Sequence, residues 1–438
     1  MRSEDYFFAS LYVDKGENAM HINNLSITNF KKIKHLELAF EKGFNLIVGD
    51  NSAGKTSVLE ATSVALGGFL AGIDNVPTIH FNKDEIRRMN TWAGDGSYNT
   101  KFHTPIMVGC DLTLNGSNYS FIRKKNSVKS SRTTIEPREI CKVASDLVDD
   151  DFSVLPIISY QSAARMWSQK KDKWNNPFQD DFSRVVGYTD CLDESSNTKM
   201  LTNWFKRMEQ VSWQLDKKIG EYESAKNTVS RFISYMTDSD NVYVFYDKRA
   251  EELMCRIEDK VLPLRFLSAG YRSLIGMVLD IACRMSILNP NLLQDTYMTD
   301  GVVLIDELDL HLHPKWQWKI IEALEKTFPN VQFISTTHSA IILSSFKGKN
   351  IIHLNDDGVE YRPPAYGYKV NDIINILQNS NERVPSVQSA FIDFYNAIED
   401  SNVGKAEEIL GKLKITLSKD DPDIVGAETT LELEKLDI

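Results

Sequence analysis

Long apolar runs, paired cysteines and an excess of positive charge are all missing from this chain. No apolar stretch approaches the ~20 residues that a helix needs to cross a bilayer. The opening Met1-Arg2-Ser3-Glu4-Asp5 has no basic end leading into an apolar segment, so a soluble cytoplasmic protein without a membrane partner is expected. Cys110, Cys141, Cys191, Cys255 and Cys283 are scattered, odd in number and without a CxxC pair, which argues against a disulfide framework or a cysteine-built zinc site. A formal net charge of -11 is incompatible with a protein whose whole surface grips nucleic acid, so any DNA contact must be local.

What remains is the composition of a globular protein. Hydrophobic residues make up 42% and charged residues 25%, enough apolar content to build a core and too little charge for disorder. At 438 residues the chain exceeds one typical domain, which predicts a large core module with smaller units attached.

Apolar and polar positions alternate around Ile22, Leu25 and Ile27 and again around Leu36, Leu38 and Phe40. This predicts two exposed strands leading into the buried run at 44–48. Val58, Ala61, Val64 and Ala65 give residues 56–70 helical spacing. Asn115-Gly116, between strand-like runs at 110–114 and 119–122, predicts a hairpin and an antiparallel sheet beside a parallel one. Residues 126–135 read as a loop.

Steps of three and four link Leu201, Trp204, Met208, Val211, Leu215, Tyr222, Ala225, Val229 and Phe232. They predict one long amphipathic helix, packed on its own domain or serving as a short dimerisation arm. Beyond 300, strands at 302–305, 331–335, 351–354 and 359–361 alternate with helical stretches, and from 370 onward the pattern is helical. The predicted organisation is α/β, with a parallel core sheet and an antiparallel β subdomain. Residues 20–164 form an N-terminal lobe, 165–262 a mainly helical insertion, 263–366 a C-terminal lobe and 367–438 a helical appendage.

Gly49-Asp50-Asn51-Ser52-Ala53-Gly54-Lys55-Thr56, followed by Ser57, matches the phosphate-binding pattern GxxxxGK[ST] between a strand and a helix. Its glycines let backbone N–H groups point at phosphate oxygens, Lys55 neutralises the β- and γ-phosphates, and the Thr56 hydroxyl ligates Mg²⁺. The strand at 302–305 ends in Asp306-Glu307. Asp306 would hold Mg²⁺ through water, and Glu307 would orient or deprotonate the attacking water. Ser268 and Gly270 open a helix and offer a hydroxyl and backbone N–H groups to an anion. Basic residues cluster at Arg123-Lys124-Lys125 with Lys129 and Arg132, and at Arg165, Lys170, Lys171 and Lys173 between Trp167 and Trp174. Either cluster reads as a solvated loop or as a phosphate-contacting patch.

These segments, in this order, resemble the ABC ATPase superfamily and especially its SMC/RecF-like branch. The resemblance implies an ABC-type nucleotide-binding domain using ATP and Mg²⁺, working as a head-to-tail dimer. Ser268 and Gly270, in Leu267-Ser268-Ala269-Gly270, would reach the γ-phosphate held by the partner's loop, and His338 would be the switch histidine. Gln161 is either the Q-loop glutamine that completes the Mg²⁺ shell or an ordinary polar residue at a strand end. Ala269 and His313 depart from the family pattern, which points to slow or conditional turnover.

The strings 264–273 and 306–317 look like a bacterial group of standalone ATPases that includes the PtuA-like subunits of Septu-type antiphage modules. That likeness implies a regulator of an HNH nuclease subunit. A DNA-repair or chromosome-associated ATPase that binds DNA directly, or a transporter's nucleotide-binding subunit, are the alternatives.

Overall fold

The apolar run at 44–48 becomes an inner strand of the main sheet. The computed structural model describes residues 19–93, 97–163, 183–193, 198–356, 358–376, 383–418 and 420–436. From the N-terminus come β1 His21–Phe30, β2 Ile33–Ala39, β3 Phe44–Gly49, α1 Lys55–Leu70, β4 Arg88–Trp92, β5 Tyr98–Phe102, β6 Ile106–Leu114, β7 Ser117–Lys125, β8 Thr134–Glu136, α2 Glu139–Asp149 and β9 Ile157–Gln161. The middle holds α3 Thr198–Gln214, α4 Gly220–Thr237, β10 Val242–Asp247, β11 Glu252–Ile257, β12 Lys260–Pro263 and α5 Ala269–Leu288. Then follow β13 Gly301–Ile305, α6 Pro314–Gln317, α7 Ile320–Thr327, β14 Val331–Thr336, α8 Ala340–Ser345, β15 Ile351–Asn355 and β16 Gly358–Arg362. Two compact units result, one ending at Tyr366 and one beginning at Gly367.

The main sheet runs β16-β15-β3-β14-β13-β9. All its pairings are parallel except β15 with β16, and β3, β13 and β14 are almost entirely buried, as strands covered on both faces must be. A second, antiparallel sheet runs β2-β1-β6-β7-β8. Its β6–β7 hairpin turns at Asn115-Gly116, both with positive φ (50° and 73°), as a tight primed turn requires. Between the sheets lies α1, which touches β1, β6 and β7 on one side and β3, β13 and β14 on the other. Its residues are buried on nearly every face, from Val58 and Leu59 to Phe69 and Leu70, so the helix that follows the phosphate loop is held by both sheets.

Three sequence expectations need correction. The long helix is two, because Asp216 takes a left-handed φ of 46° and the chain restarts at Gly220. A Cβ at Gly220 would stand 2.9 Å from the Leu293 side chain. Trp204, Met208, Tyr222 and Phe232 are buried within the first unit, so both helices pack on their own domain. Beside its two helices, the stretch 165–262 also carries most of the β10-β11-β12 meander. The stretch 126–135 ends in β8, not in loop.

Arg123-Lys124-Lys125 is not a basic patch, because strand alternation turns Arg123 and Lys125 inward. Arg123 Nη1 donates to Val64 O at 2.7 Å and Lys125 Nζ to Phe81 O at 2.9 Å, while Lys124 pairs with Glu136 at 2.9 Å. The basic cluster between Arg165 and Trp174 lies outside the described residues.

The second unit comprises α9 Val370–Ile376, α10 Pro385–Glu399, α11 Val403–Thr416 and α12 Pro422–Leu436. Phe391, Phe394, Ala406, Leu410, Ile424 and Leu431 form its core, and Arg383 clamps Asp421 and Asp423 at 2.7 and 2.6 Å. Among the described residues no helix is long and apolar enough to cross a membrane.

Candidate functional site

A cleft of about 410 Å³ opens where β3, β13 and β14 end, lined by Lys31, Lys32, Asn51, Ser52, Gly54, Lys55, Thr56, Ser57, Asp306, Glu307, Thr336 and His338. Local geometry explains why the loop at 49–54 is built as it is. Gly49, Ser52 and Gly54 have φ of 148°, 69° and 103°, values that L side chains seldom adopt. A Cβ at Gly49 would also stand 2.2 Å from Leu354 O. The loop closes through Ala53 N–H to Asp50 O at 3.0 Å, and Gly54 caps α1.

Lys55 is almost fully buried, with Nζ donating to Gly49 O at 2.8 Å and to Asp50 O at 2.9 Å. Burial pulls its pKa down, and the nearby carboxylates of Asp306, Asp50, Glu307 and Asp309 oppose that shift. The loop's cation therefore sits among carboxylates and against the loop's own carbonyl oxygens.

Parallel register brings the acidic pair to the loop. β13 pairs with β14 on one side and β9 on the other, with Ile305 opposite both Ser335 and Gln161, so the residues after these positions meet at one sheet end. Asp306 N–H donates to Gln161 O at 2.9 Å. Thr56 Oγ1 lies 3.3 and 3.1 Å from the two Asp306 carboxylate oxygens. Thr336 Oγ1 donates to Asp306 Oδ1 at 2.7 Å and accepts the Glu307 N–H at 2.8 Å. Glu307 itself has φ 50°, a left-handed conformation that non-glycine residues hold at a cost and that clusters at functional sites.

One hydroxyl and one carboxylate facing each other fit a hard cation that also takes water and phosphate oxygens. Among the described residues no group of three or more His, Cys, Asp and Glu could hold a metal.

His338 is exposed at the cleft's edge, its N–H donating to Asp309 Oδ1 at 3.2 Å, and Thr337 Oγ1 donates to the same carboxylate. Gln161 does not line the cleft. Its Nε2 donates to Asp280 Oδ2 at 2.8 Å and to Ser159 Oγ at 2.9 Å. Ser268 and Gly270 are also absent from the lining. Ser268 is exposed at the start of α5, whereas Gly270 is buried where a Cβ would stand 2.4 Å from His311 O. Tyr271 meets Trp316 edge-on at 3.9 Å between ring centroids. The start of α5 thus packs against the run that follows Glu307. In that run His313 Nδ1 accepts the Lys315 N–H at 3.2 Å and caps α6.

Sequence reasoning assigned no role to Thr336, Asp309, Lys31 or Lys32. Asp309 stood in the string 306–317 already singled out, two residues after Glu307, and Thr336 lies two residues before His338. Lys31 and Lys32 carry no motif.

An AAA domain model matches residues 24–235, and a second AAA domain model, described with the AbiEii toxin of a Type IV TA system, matches 254–344. The "Retron Vc95 probable ATPase" of Vibrio cholerae serotype O1 biovar El Tor is 26% identical over 90% of this chain and 86% of its own. The Septu protein PtuA of Bacillus thuringiensis is 23% identical over 92% of this chain and 95% of its own. Among solved structures, an SMC head bound to the C-winged helix domain of ScpA aligns with a TM-score of 0.47 at 16% identity, over 78% of this chain and 97% of that one. The sheet order and the phosphate loop resemble those of an ABC-type ATPase domain. Within that class the chain resembles SMC/RecF-like ATPases and PtuA.

Proposed function

We propose that the chain binds ATP with Mg²⁺ in the Lys55 cleft, hydrolyses it slowly or conditionally in a head-to-tail dimer, and uses that cycle to regulate a partner nuclease in antiphage defence. The observation that carries the chemistry is the convergence of Thr56, Asp306, Thr336 and Glu307 at one sheet end. Asn51, Ser52, Ala53, Gly54 and Ser57 wrap the phosphates with backbone amides, Lys55 offsets their charge, and Thr56 with Asp306 holds the cation. When bound, Mg²⁺ neutralises charge on the β- and γ-phosphate oxygens. Glu307 takes the proton of the attacking water, and His338, exposed at the cleft edge, would sense the γ-phosphate. Exposed Ser268 supports a role toward the partner's nucleotide, because nothing in its own cleft uses it. Gln161 would join the cation shell through Oε1, its Nε2 being held by Asp280 and Ser159.

The likeness to PtuA and to a retron ATPase supports the defence role and a cytoplasmic location. Two measurements test the proposal. Glu307→Gln should bind ATP, lose turnover and accumulate as a dimer on size exclusion; unchanged turnover overturns the assignment of Glu307. Co-expression with the neighbouring reading frame should co-purify a nuclease subunit, and a chain that always isolates alone overturns the regulatory reading.

A further inference from the structure

A two-stranded ribbon on the first unit exposes both of its faces. β4 and β5 pair with Arg88 opposite Phe102, Asn90 opposite Thr100 and Trp92 opposite Tyr98, so these six side chains share one face. Met89 and Lys101 pair on the reverse. Trp92 is 67% exposed and Tyr98 61%, their ring centroids 6.5 Å apart and their planes inclined at 31°. At the root, Lys83 Nζ stands 5.6 Å from the centre of the Phe102 ring. Arg87, Arg88 and Lys101 are the charged residues of 87–93 and 97–103, and Asp95 is the one acid between Arg87 and His103 in sequence.

Folding does not account for the rings. A two-stranded ribbon gains little from its own packing, and exposed large apolar side chains gathered in one place mark a contact surface. The ribbon is nevertheless anchored: Arg87 N–H donates to Asn29 O at 2.8 Å, His103 N–H to Arg87 O at 2.8 Å, and Ile86 bridges to Phe30. The turn that holds it continues directly into Lys31 and Lys32 of the nucleotide cleft.

We propose that this ribbon binds single-stranded nucleic acid, with unpaired bases stacking on Trp92 and Tyr98 and backbone phosphates meeting Arg88 on that face and reaching round the narrow ribbon to Arg87 and Lys101. Every base presents a π-face, so ring stacking tolerates any sequence, and cations beside the rings track the phosphates. The two ring stations, Trp92–Tyr98 and Phe102 with Arg88, are roughly 13 Å apart along the strand. The polar pair between them, Thr100 donating to Asn90 at 2.9 Å, is unlike the apolar centre of a protein interface. On a chain of net charge -11, a stretch this rich in cations complements a polyanion locally. Paired bases are already stacked on one another and leave these rings without a partner.

The test is fluorescence anisotropy of the full chain with a labelled oligothymidylate of about 16 nucleotides, at low salt. The wild-type chain should bind it. Trp92→Ala and Tyr98→Ala should each weaken binding roughly five- to a hundredfold, and Trp92→Phe should retain most of the affinity. Arg88→Gln combined with Lys101→Gln should flatten the slope of log affinity against log salt by about 1.4, at ~0.7 per phosphate contact. ATP binding by each variant serves as the folding control and should not change.

No binding by the wild-type chain, or ring variants that bind as tightly as it does, overturns the proposal. So does a duplex of the same length that binds equally well and loses equally on ring removal. Ring variants that change self-association while oligonucleotide affinity holds would make the ribbon a protein contact instead.

Discussion

The Thr336 hydroxyl donates to Asp306 Oδ1 at 2.7 Å while it accepts the Glu307 N–H at 2.8 Å, so one side chain on β14 sets both acidic residues at the end of β13. Thr336→Val keeps the shape and removes both bonds. It leaves the Glu307 N–H without its acceptor and takes a donor from a buried carboxylate, at about 1.5–3 kcal/mol for a bond to a charged group. The expected outcome is a stability loss of that order in urea denaturation and a fall in ATP turnover. Thr336→Ser should recover most of both, and full turnover in the valine variant would remove Thr336 from the site.

A second expectation concerns Gly270, which presses on backbone, not on a flexible side chain. Because a Cβ there would stand 2.4 Å from His311 O, Gly270→Ala must push the start of α5 away from the run that follows Glu307. The strain should cost about 1–3 kcal/mol. Nucleotide affinity should stay near wild type, because the Lys55 cleft does not include Gly270, while turnover drops. Equal losses of ATP affinity and turnover would place the damage in the cleft itself.

Why the phosphate loop was legible in the sequence and Thr336 was not follows from the range of the forces involved. Gly49 and Gly54 answer to their own φ values, and a motif records such local demands. Thr336 acts through strand order: only when β14 lies parallel beside β13, with Ser335 opposite Ile305, does its hydroxyl meet Asp306. The parallel core and the hairpin at Asn115 were legible because strand patterning and turn chemistry are local too.

The single long helix failed for the converse reason. Its apolar steps run through a turn at Asp216, and the glycine that restarts the helix is explained by Leu293, which is 73 residues away (293 − 220). Arg123 was misread because a basic triplet looks like a surface, although alternation along β7 buries its first and third members.

Asp280 is expected to be the most costly carboxylate to remove near the cleft. It faces Arg284 at 2.9 Å, with side-chain exposures of 13% and 3%, and also holds Gln161 Nε2. Asp280→Ala strands a buried guanidinium, which costs about 3–5 kcal/mol. Asp280→Asn keeps an acceptor and should lose less. Asp280→Ala combined with Arg284→Met removes the stranded charge as well, so the double variant should be more stable than Asp280→Ala alone. Chemical denaturation of the wild type, Asp280→Ala, Arg284→Met and the double variant reads the coupling, and additive losses would show that the pair does not act as one.

The shared site is open to a mixing experiment that neither single variant can provide. Lys55→Ala removes the cation that offsets the phosphates, and Ser268→Arg blocks the surface proposed to meet the partner's nucleotide. Each variant alone should be inactive, since both sites of a symmetric dimer carry the defect. In a mixed dimer one site inherits both lesions. The other combines the intact loop of the Ser268→Arg chain with the intact Ser268 of the Lys55→Ala chain. Equal mixing makes about half the dimers mixed, each with one working site, so roughly a quarter of wild-type turnover should return. A site contained within one chain returns none, because every chain in the mixture lacks either its own Lys55 or its own Ser268. Turnover restored on mixing therefore means that the nucleotide is held between two chains, and its absence, with mixed dimers demonstrated by differential tagging, means that it is not.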